Sequence, residues 1–485
     1  DEGGTPMSSA QLTALLPLIG LAGTSIVLMV VIAIRRDRRW SVSITLAGLA
    51  LSLGLVFTAR SVAGCKVAQL LVVDSFALFF FALLISASAV VALLAYDYLD
   101  RREADCEEFY LLLLFATLGG GVLAASSHFA SLFLGLEILS VSLYAMVAYL
   151  RNTETGLEAG VKYLILAAVS SAFLLFGMAL VYGETGTMAF SAFAGLRLGP
   201  GAEPALITVA GLALMLVGFG FKLALVPFHM WTADVYEGAP APVTAFVATV
   251  SKAAAVALLL RLLAAAGTTS AELSLILALL AGASILVGNL LALRQDNIKR
   301  LLAYSSIAHL GYVMIAVLAG GASGGEAAAF YLAAYFPTTL GAFAVITVMS
   351  SRDRDSDRLD DYLGLGRTRP ALAGVLTVCM LSLAGIPLTA GFVGKFLVLG
   401  TGVGTEQWAL VLTLVAGSVI SIFYYLRVIV AMYMRTADDR ARETFSARVS
   451  LAVSATLIAL LAVILWLGVW PGPFLEVVRS TVGSL

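Results

Sequence analysis

Five basic side chains, Lys162, Lys222, Lys252, Lys395 and Arg427, lie inside long apolar runs of this 485-residue sequence, together with the carboxylate Glu137 and the imidazole His309. A Lys or Asp at the centre of a membrane span costs roughly 2.5–3.5 kcal/mol on insertion scales, so such residues face a protein or water-filled interior and mark ion paths. Lysine, glutamate and histidine all exchange protons, and a row of them in an apolar interior is suited to proton transfer. Lys222 stands in GFGFKLALVPF, with Pro227 five residues on. That proline removes a backbone donor and its ring collides with the carbonyl of Leu223, which breaks the helix beside the lysine and requires a cavity. Lys395, in LAGIPLTAGFVGKF, has Pro387 and three glycines on its N-terminal side. Glu137, in SLFLGLEILSVSLY, is the carboxylate plainly at mid-span, and a lysine is its economical partner. Lys252, in ATVSKAAAVALLLRLL, is deep in the span after Lys222 with no carboxylate nearby in sequence, and reads as a proton carrier. His309, in LLAYSSIAHLGY, can pass a proton either way, and Tyr304, Ser305 and Ser306 add hydroxyls.

Each of these also has a structural reading. Glu137 with a lysine could be a fixed buried ion pair, costly to break whether or not protons move. Lys252 could satisfy freed backbone carbonyls, and His309 could be a hydrogen-bonded core residue. Lys162 and Arg427 lie about one and about two helical turns inside one face, where snorkelling accounts for them. His229, in VPFHMW, is expected after the break on the outer side of the seventh span, capping or lining it or serving proton release. Asp234 and Glu237, in WTADVYEGAPAP, read as loop carboxylates positioning a short segment before the eighth span, where Pro240 and Pro242 restart the chain.

The elements that must position these groups follow from composition. The chain is 61% hydrophobic and 12% charged, with mean hydropathy +1.00, against roughly 45–50% apolar and about 25% charged for a soluble domain. A soluble fold is excluded, and one polytopic membrane domain is expected over residues 1–485. The net charge of -1 and the scatter of basic residues between apolar runs exclude nucleic-acid binding. Cys65, Cys106 and Cys379 lack CxxC spacing, so no iron–sulfur cluster or structural zinc is expected. The opening DEGGTPM has no basic n-region, so the first apolar run is read as a span rather than a signal peptide.

Runs of about 20 apolar residues, the length that crosses the hydrocarbon, predict an all-α integral membrane protein of fourteen transmembrane helices. They fall near 11–34, 41–60, 74–97, 108–127, 128–150, 158–182, 205–228, 240–266, 271–293, 298–320, 325–350, 370–399, 406–434 and 449–470. Loops after odd-numbered spans hold 19 Lys and Arg residues and the opposite face holds 5, namely Arg60, Lys66, Arg197, Arg261 and Arg479. The positive-inside rule then places both termini outside. The broken seventh and twelfth spans are five apart and run in opposite directions, as two inverted five-helix repeats, spans 4–8 and 9–13, would produce. This divides the chain into N-terminal spans at 11–107, half-channels at 108–266 and 271–434, and a last span at 449–470.

The stretches FKLALVPFHMWTADVYEGAPAPVTAFVATVSK, NIKRLLAYSSIAHLGY and LSLAGIPLTAGFVGKF closely resemble the antiporter-like, proton-pumping membrane subunits of respiratory complex I, over roughly Glu108 to Trp470. Within that family one paralogue carries a glutamate at the twelfth helix, one a lysine followed by aspartate, and the N-type GKF, matched here by Gly394-Lys395-Phe396. The sequence given runs fifteen residues beyond Trp470, which leaves no room for the long lateral helix of the L-type. The resemblance implies two half-channels on a hydrophilic axis: Glu137 pairs with Lys222, Lys252 bridges the halves, and Lys395 ends the path. The N-type lysine of the sixth helix is matched by Lys162, which raises a relay role above snorkelling. The resemblance also implies a bacterial inner-membrane location and partners among other membrane-arm subunits. Cofactors are expected not on this chain but in partner subunits, which hold NADH, FMN, iron–sulfur clusters and quinone; no GxGxxG follows a strand here. The alternative is a cation/proton antiporter or a membrane-bound hydrogenase subunit of the same superfamily. Sodium favours oxygen ligands, whereas this interior offers lysines. A pure scaffold leaves the cost of the buried charges unexplained.

Overall fold

A computed structural model describes residues 7–102, 106–151, 153–196, 205–267, 271–434 and 449–483. Backbone polar groups have no water to bond in hydrocarbon, so the apolar runs close their hydrogen bonds internally as helices. These are α1 (Ser9–Ile34), α2 (Arg38–Ala59), α3 (Ser75–Asp100), α4 (Glu107–Ala125), α5 (Phe129–Val147), α6 (Glu154–Thr185), α7 (Leu206–Leu223), α8 (Trp231–Gly238), α9 (Ala241–Phe246) and α10 (Lys252–Ala266). There follow α11 (Ala271–Ala292), α12 (Ile298–Ala319), α13 (Gly321–Met349), α14 (Leu365–Thr368), α15 (Pro370–Ala384), α16 (Ala390–Gly404), α17 (Trp408–Tyr433), α18 (Leu451–Val469) and α19 (Gly472–Val482). Among the described residues 13 helical segments are long and apolar enough to span a bilayer. The apolar pair α15 and α16 makes up the predicted twelfth span.

Polar side chains fix several helix starts. Ser8 and Gln11 form a capping box on α1, Asp37 caps α2, Asp74 accepts the Ala77 N–H of α3, and Asn297 accepts the Lys299 and Arg300 N–H groups of α12. Helices α4 and α5 meet through glycine: a Cβ on Gly119 would lie 2.6 Å from the Leu139 nitrogen and 2.8 Å from the Gly135 carbonyl. Small residues at such a contact let two backbones approach, as lipid-embedded helices do.

Several elements differ from the sequence reading. The seventh span stops at Leu223 rather than near 228, and a separate short helix, α8, follows the break. The eighth span contains one π-helical turn, Val247–Ser251, directly before Lys252. Residues between the second and third spans form an antiparallel hairpin, β1 (Cys65–Val67) with β2 (Leu71–Val73), which a loop reading missed. Arg261, counted with the opposite face, lies inside α10 and is 8% exposed. Of the basic residues used for orientation, Arg197, Arg435, Arg440, Arg442 and Arg448 lie outside the described residues.

Burial sorts the bundle. Within an apolar 18-residue stretch of each span, every residue of α9–α10 is buried, 94% in α13 and 89% in α12, against 33% in α1, α2, α6 and α18, which present apolar side chains outward. The central helices are the ones that carry Lys252 and His309.

At the face reached by the odd-numbered spans a charge knot ties separate elements together. Lys299 Nζ donates to Asp355 Oδ2 at 2.8 Å and to the carbonyls of Glu237 and Ala239, each at 2.7 Å. Arg102 Nη1 donates to Asp355 Oδ1 at 2.8 Å, and Tyr98 donates to the same oxygen at 2.7 Å. Burial opposes ionisation of Asp355, but the charges of Lys299 and Arg102 and their hydrogen bonds outweigh it and hold the carboxyl at about 2. A carboxylate depressed in the folded state contributes stability above its unfolded value of about 3.9 and loses it as pH falls towards the folded value, here on the order of 2 kcal/mol. Between about pH 5 and pH 3 the thermal stability of the purified protein should therefore fall more steeply in the parent than in Asp355→Asn. Equal pH slopes in the two would contradict the knot's contribution.

Candidate proton-conducting axis

Glu137 and Lys222 stand on α5 and at the end of α7. They approach, but among the described residues they do not form the ion pair expected from the sequence. Instead Ser171 of α6 donates to Glu137 Oε1 at 2.7 Å, and Lys222 Nζ donates to Ser140 Oγ at 3.1 Å. Ser140 lies three residues along α5 from Glu137, on the same helix face. Each group is held by its own serine hydroxyl, and the two interact without direct contact. Lys222 is 6% exposed. It occupies the last turn of α7, where Ala224 takes a left-handed conformation with φ 58° and ends the helix. The peptide before Pro227 is cis.

Lys252 is 1% exposed and donates to Ser306 Oγ of α12 at 2.7 Å. Tyr335 of α13 reaches the same oxygen at 2.8 Å and Tyr236 of α8 at 3.4 Å, while the Tyr236 ring lies 5.5 Å from Lys252 Nζ. The π-turn before Lys252 inserts a residue into the helical ladder and so rotates the rest of the helix, a feature frequent at functional positions.

One turn further along α12, His309 is held between two hydroxyls. Its Nδ1 is 2.6 Å from Tyr331 Oη and its Nε2 3.2 Å from Tyr425 Oη. Tyr425, on α17, also bonds Ser305. A neutral imidazole donates from one nitrogen and accepts at the other, so this setting lets it take a proton on one side and yield it on the other. Lys395 sits in the second turn of α16, donates to the Ala384 carbonyl at 2.8 Å and lies 5.3 Å from the Tyr312 ring centroid. That carbonyl is free because α15 ends there, with Gly385 left-handed at φ 84°. Lys222 precedes its break and Lys395 follows its own.

Lys162 is apart from this row. Its Nζ bonds Asp234 Oδ2 at 2.9 Å and Glu158 Oε1 at 2.6 Å, and its side chain is 42% exposed. Asp234 and Glu237 are not loop residues: both belong to α8, and Arg300 Nη1 bridges them at 2.8 and 2.7 Å. His229 lies in the break between α7 and α8. Its Nδ1 has no hydrogen-bond partner among the described residues. Arg427 donates to the Leu293 carbonyl at 3.2 Å and to that of Gln295, as a snorkelling side chain does.

Sequence reasoning passed over Ser140, Ser171, Tyr236, Tyr331, Tyr335 and Tyr425, because hydroxyls in apolar runs are common and only the packing of different helices brings these to the charged groups. It also passed over Asp74, whose carboxylate receives both Arg261 Nη atoms at 2.9 and 2.8 Å while Arg261 Nε donates to the Ala124 carbonyl.

A polytopic bundle with two interrupted spans and a row of buried proton-exchanging side chains defines an ion-translocating membrane subunit. The model of the NADH:quinone oxidoreductase/Mrp antiporter transmembrane family matches residues 126–421. NADH-quinone oxidoreductase subunit N of Methylococcus capsulatus is 49% identical over 97% of this chain and 95% of its own. The subunit of the same name from Nitrosospira multiformis is 52% identical over 98% of this chain and 97% of its own. Among solved structures, a chain of respiratory complex I from Thermus thermophilus superposes with TM-score 0.81 at 36% identity, covering 95% of this chain and 98% of that one. A chain of an archaeal membrane-bound sulfane sulfur reductase gives TM-score 0.86 at 26% identity, with 98% and 97% covered. The chain belongs to this antiporter-like family, and within it to the subunit N branch of NADH-quinone oxidoreductases.

Proposed function

We propose that this chain is a proton-translocating membrane subunit of a NADH-quinone oxidoreductase, and that protons cross it along Glu137, Lys222, Lys252, His309 and Lys395. The observation that carries this reading is the placement of Lys222, Lys252, His309 and Lys395, each less than a tenth exposed, on hydroxyl or carbonyl partners at the centre of the bundle. Buried charges without carboxylate partners are costly as pure structure and are retained where ions move. Lys252 bridges the halves at 108–266 and 271–434, which are read as inverted repeats. Lys162, in contact with two carboxylates near the basic face, joins the path only as a peripheral member.

Two unit charges about 8 Å apart interact by about 2 kcal/mol at an effective dielectric near 20. That is enough to bias one proton step and small enough to reset. A change at the Glu137–Lys222 site, driven by a neighbouring subunit, then passes to Lys252 and on to His309 and Lys395. NADH oxidation, flavin, iron–sulfur and quinone chemistry belong to partner subunits, and this chain is part of the translocase without a redox site of its own. The relatives being bacterial subunits of that enzyme, the location is the bacterial inner membrane, with the Lys299–Asp355 face in the cytoplasm and both termini outside.

Solubilised with mild detergent and captured through a tag, the chain should bring with it other hydrophobic subunits and an arm that oxidises NADH. In intact cells a thiol probe should reach Ser61→Cys but not Asp353→Cys, with Cys65 replaced by serine. Recovery of the chain as a stand-alone transporter, or equal labelling of both sites from outside, would contradict this assignment.

A further inference from the structure

Arg300 has no place in the relay, yet it holds α8, a short helix that reaches from the basic face to Ser306 beside Lys252. Its Nη1 bridges Asp234 and Glu237, which lie three residues apart and so on one face of α8. Tyr236 projects from the other face and is fully buried. The C-terminal end of α8 is pinned as well, since Lys299 bonds the carbonyls of Glu237 and Ala239, as cations at helix C-termini do. Asn297 adds a bond to Glu237 Oε1 at 3.1 Å. Thus α8 and α12 clasp at two levels: through Arg300 at the face, and through Tyr236 and Ser306 about two turns deeper.

The deeper level is where Lys252 is served. A hydroxyl has two lone pairs and one proton. Lys252 fills one lone pair of Ser306, and with one tyrosine filling the other, Ser306 gives its own proton to the remaining tyrosine. Of the two tyrosines, Tyr335 stands at 2.8 Å and Tyr236 at 3.4 Å. The longer bond is the one that a small displacement of α8 makes or breaks.

We infer that Arg300 is a positioning residue of the proton path: by clamping Asp234 and Glu237 it sets α8 so that Tyr236 completes the hydroxyl group around Lys252. This rests on the relay reading. Arg300 touches no proton-carrying group and acts through Tyr236. Lysine keeps the charge but lacks the reach and planar geometry of the guanidinium, and replaces arginine only in part.

The test uses the whole complex in inverted membrane vesicles, with assembly checked by NADH oxidation through an artificial acceptor. Arg300→Gln should lower protons moved per electron, by no more than the share that this chain carries beside its proton-pumping partner subunits. Arg300→Lys should recover part of the loss. Tyr236→Phe, which keeps the ring and removes the hydroxyl, should lower the ratio by itself, and adding Arg300→Gln or Arg300→Lys to it should cost nothing more. A parental ratio in Arg300→Gln, or losses that multiply in the double variants, overturns the inference. If Arg300→Gln does not assemble, Arg300→Lys alone and with Tyr236→Phe carries the same comparison. Lys252→Met separates the two readings. Impaired pumping there with a normal Arg300→Gln removes the clamp alone, whereas normal pumping in Lys252→Met removes the relay.

Discussion

Lys252→Met should stop proton transfer between the two halves of the axis, and Lys252→Arg should keep only part of it. Methionine matches the length and apolar bulk of the lysine stem, so packing around this buried position is largely preserved. What it removes is the group that donates to Ser306 Oγ at 2.7 Å and stands opposite Tyr236 and Tyr335. Without it, the proposed path from the Glu137–Lys222 site to the His309–Tyr425 site loses its bridging cation. Arginine restores the charge but does not readily release a proton. It therefore supports the electrostatic part of the coupling and not the transfer itself. The readout is proton uptake by inverted vesicles at matched rates of quinone reduction. Pumping by Lys252→Met equal to the parent's would make this position structural.

Asp74→Ala should be the most damaging single change to stability among the groups described, although Asp74 lies on no proposed proton path. Arg261 would then remain buried against the Phe76 ring, with the Ala124 carbonyl as its one acceptor among the described residues. An uncompensated buried charge costs about 3–5 kcal/mol. Asp74 also caps α3, and losing a cap adds about 1 kcal/mol. Replacing both partners, as in Asp74→Asn with Arg261→Met, should recover most of the loss, because a well-packed apolar substitute is often neutral where half a pair is not. Thermal unfolding in detergent and the amount of assembled complex measure both variants. A double variant as unstable as Asp74→Ala would show that packing around Arg261, and not its charge, matters there.

Hydropathy made the fourteen spans legible because a bilayer imposes a length and a composition that survive in every run. The two interruptions were legible for a different reason: Pro227 and Pro387 cannot continue a helix, and each stands near a lysine. What the sequence could not show depends on which helices pack together. Glu137 and Lys222 are 85 positions apart, and only the packing of α5, α6 and α7 turns an expected ion pair into two charges on separate serines. The π-turn before Lys252 has no signature in ATVSK. Asp234 and Glu237 read as loop residues because WTADVYEGAPAP is short, polar and ends in prolines, yet Arg300, Lys162 and Lys299 hold it as a helix.

The central claim is that the buried groups of this chain carry protons, and protons moved per electron measure it most directly. Lys222→Ala and Glu137→Gln remove, respectively, the cation on Ser140 and the anion on Ser171 while leaving the helices to pack as before. Inverted vesicles containing each assembled variant, oxidising NADH with a quinone acceptor, should move fewer protons for each electron than the parent. Normal assembly with an undiminished ratio in both variants would contradict the account.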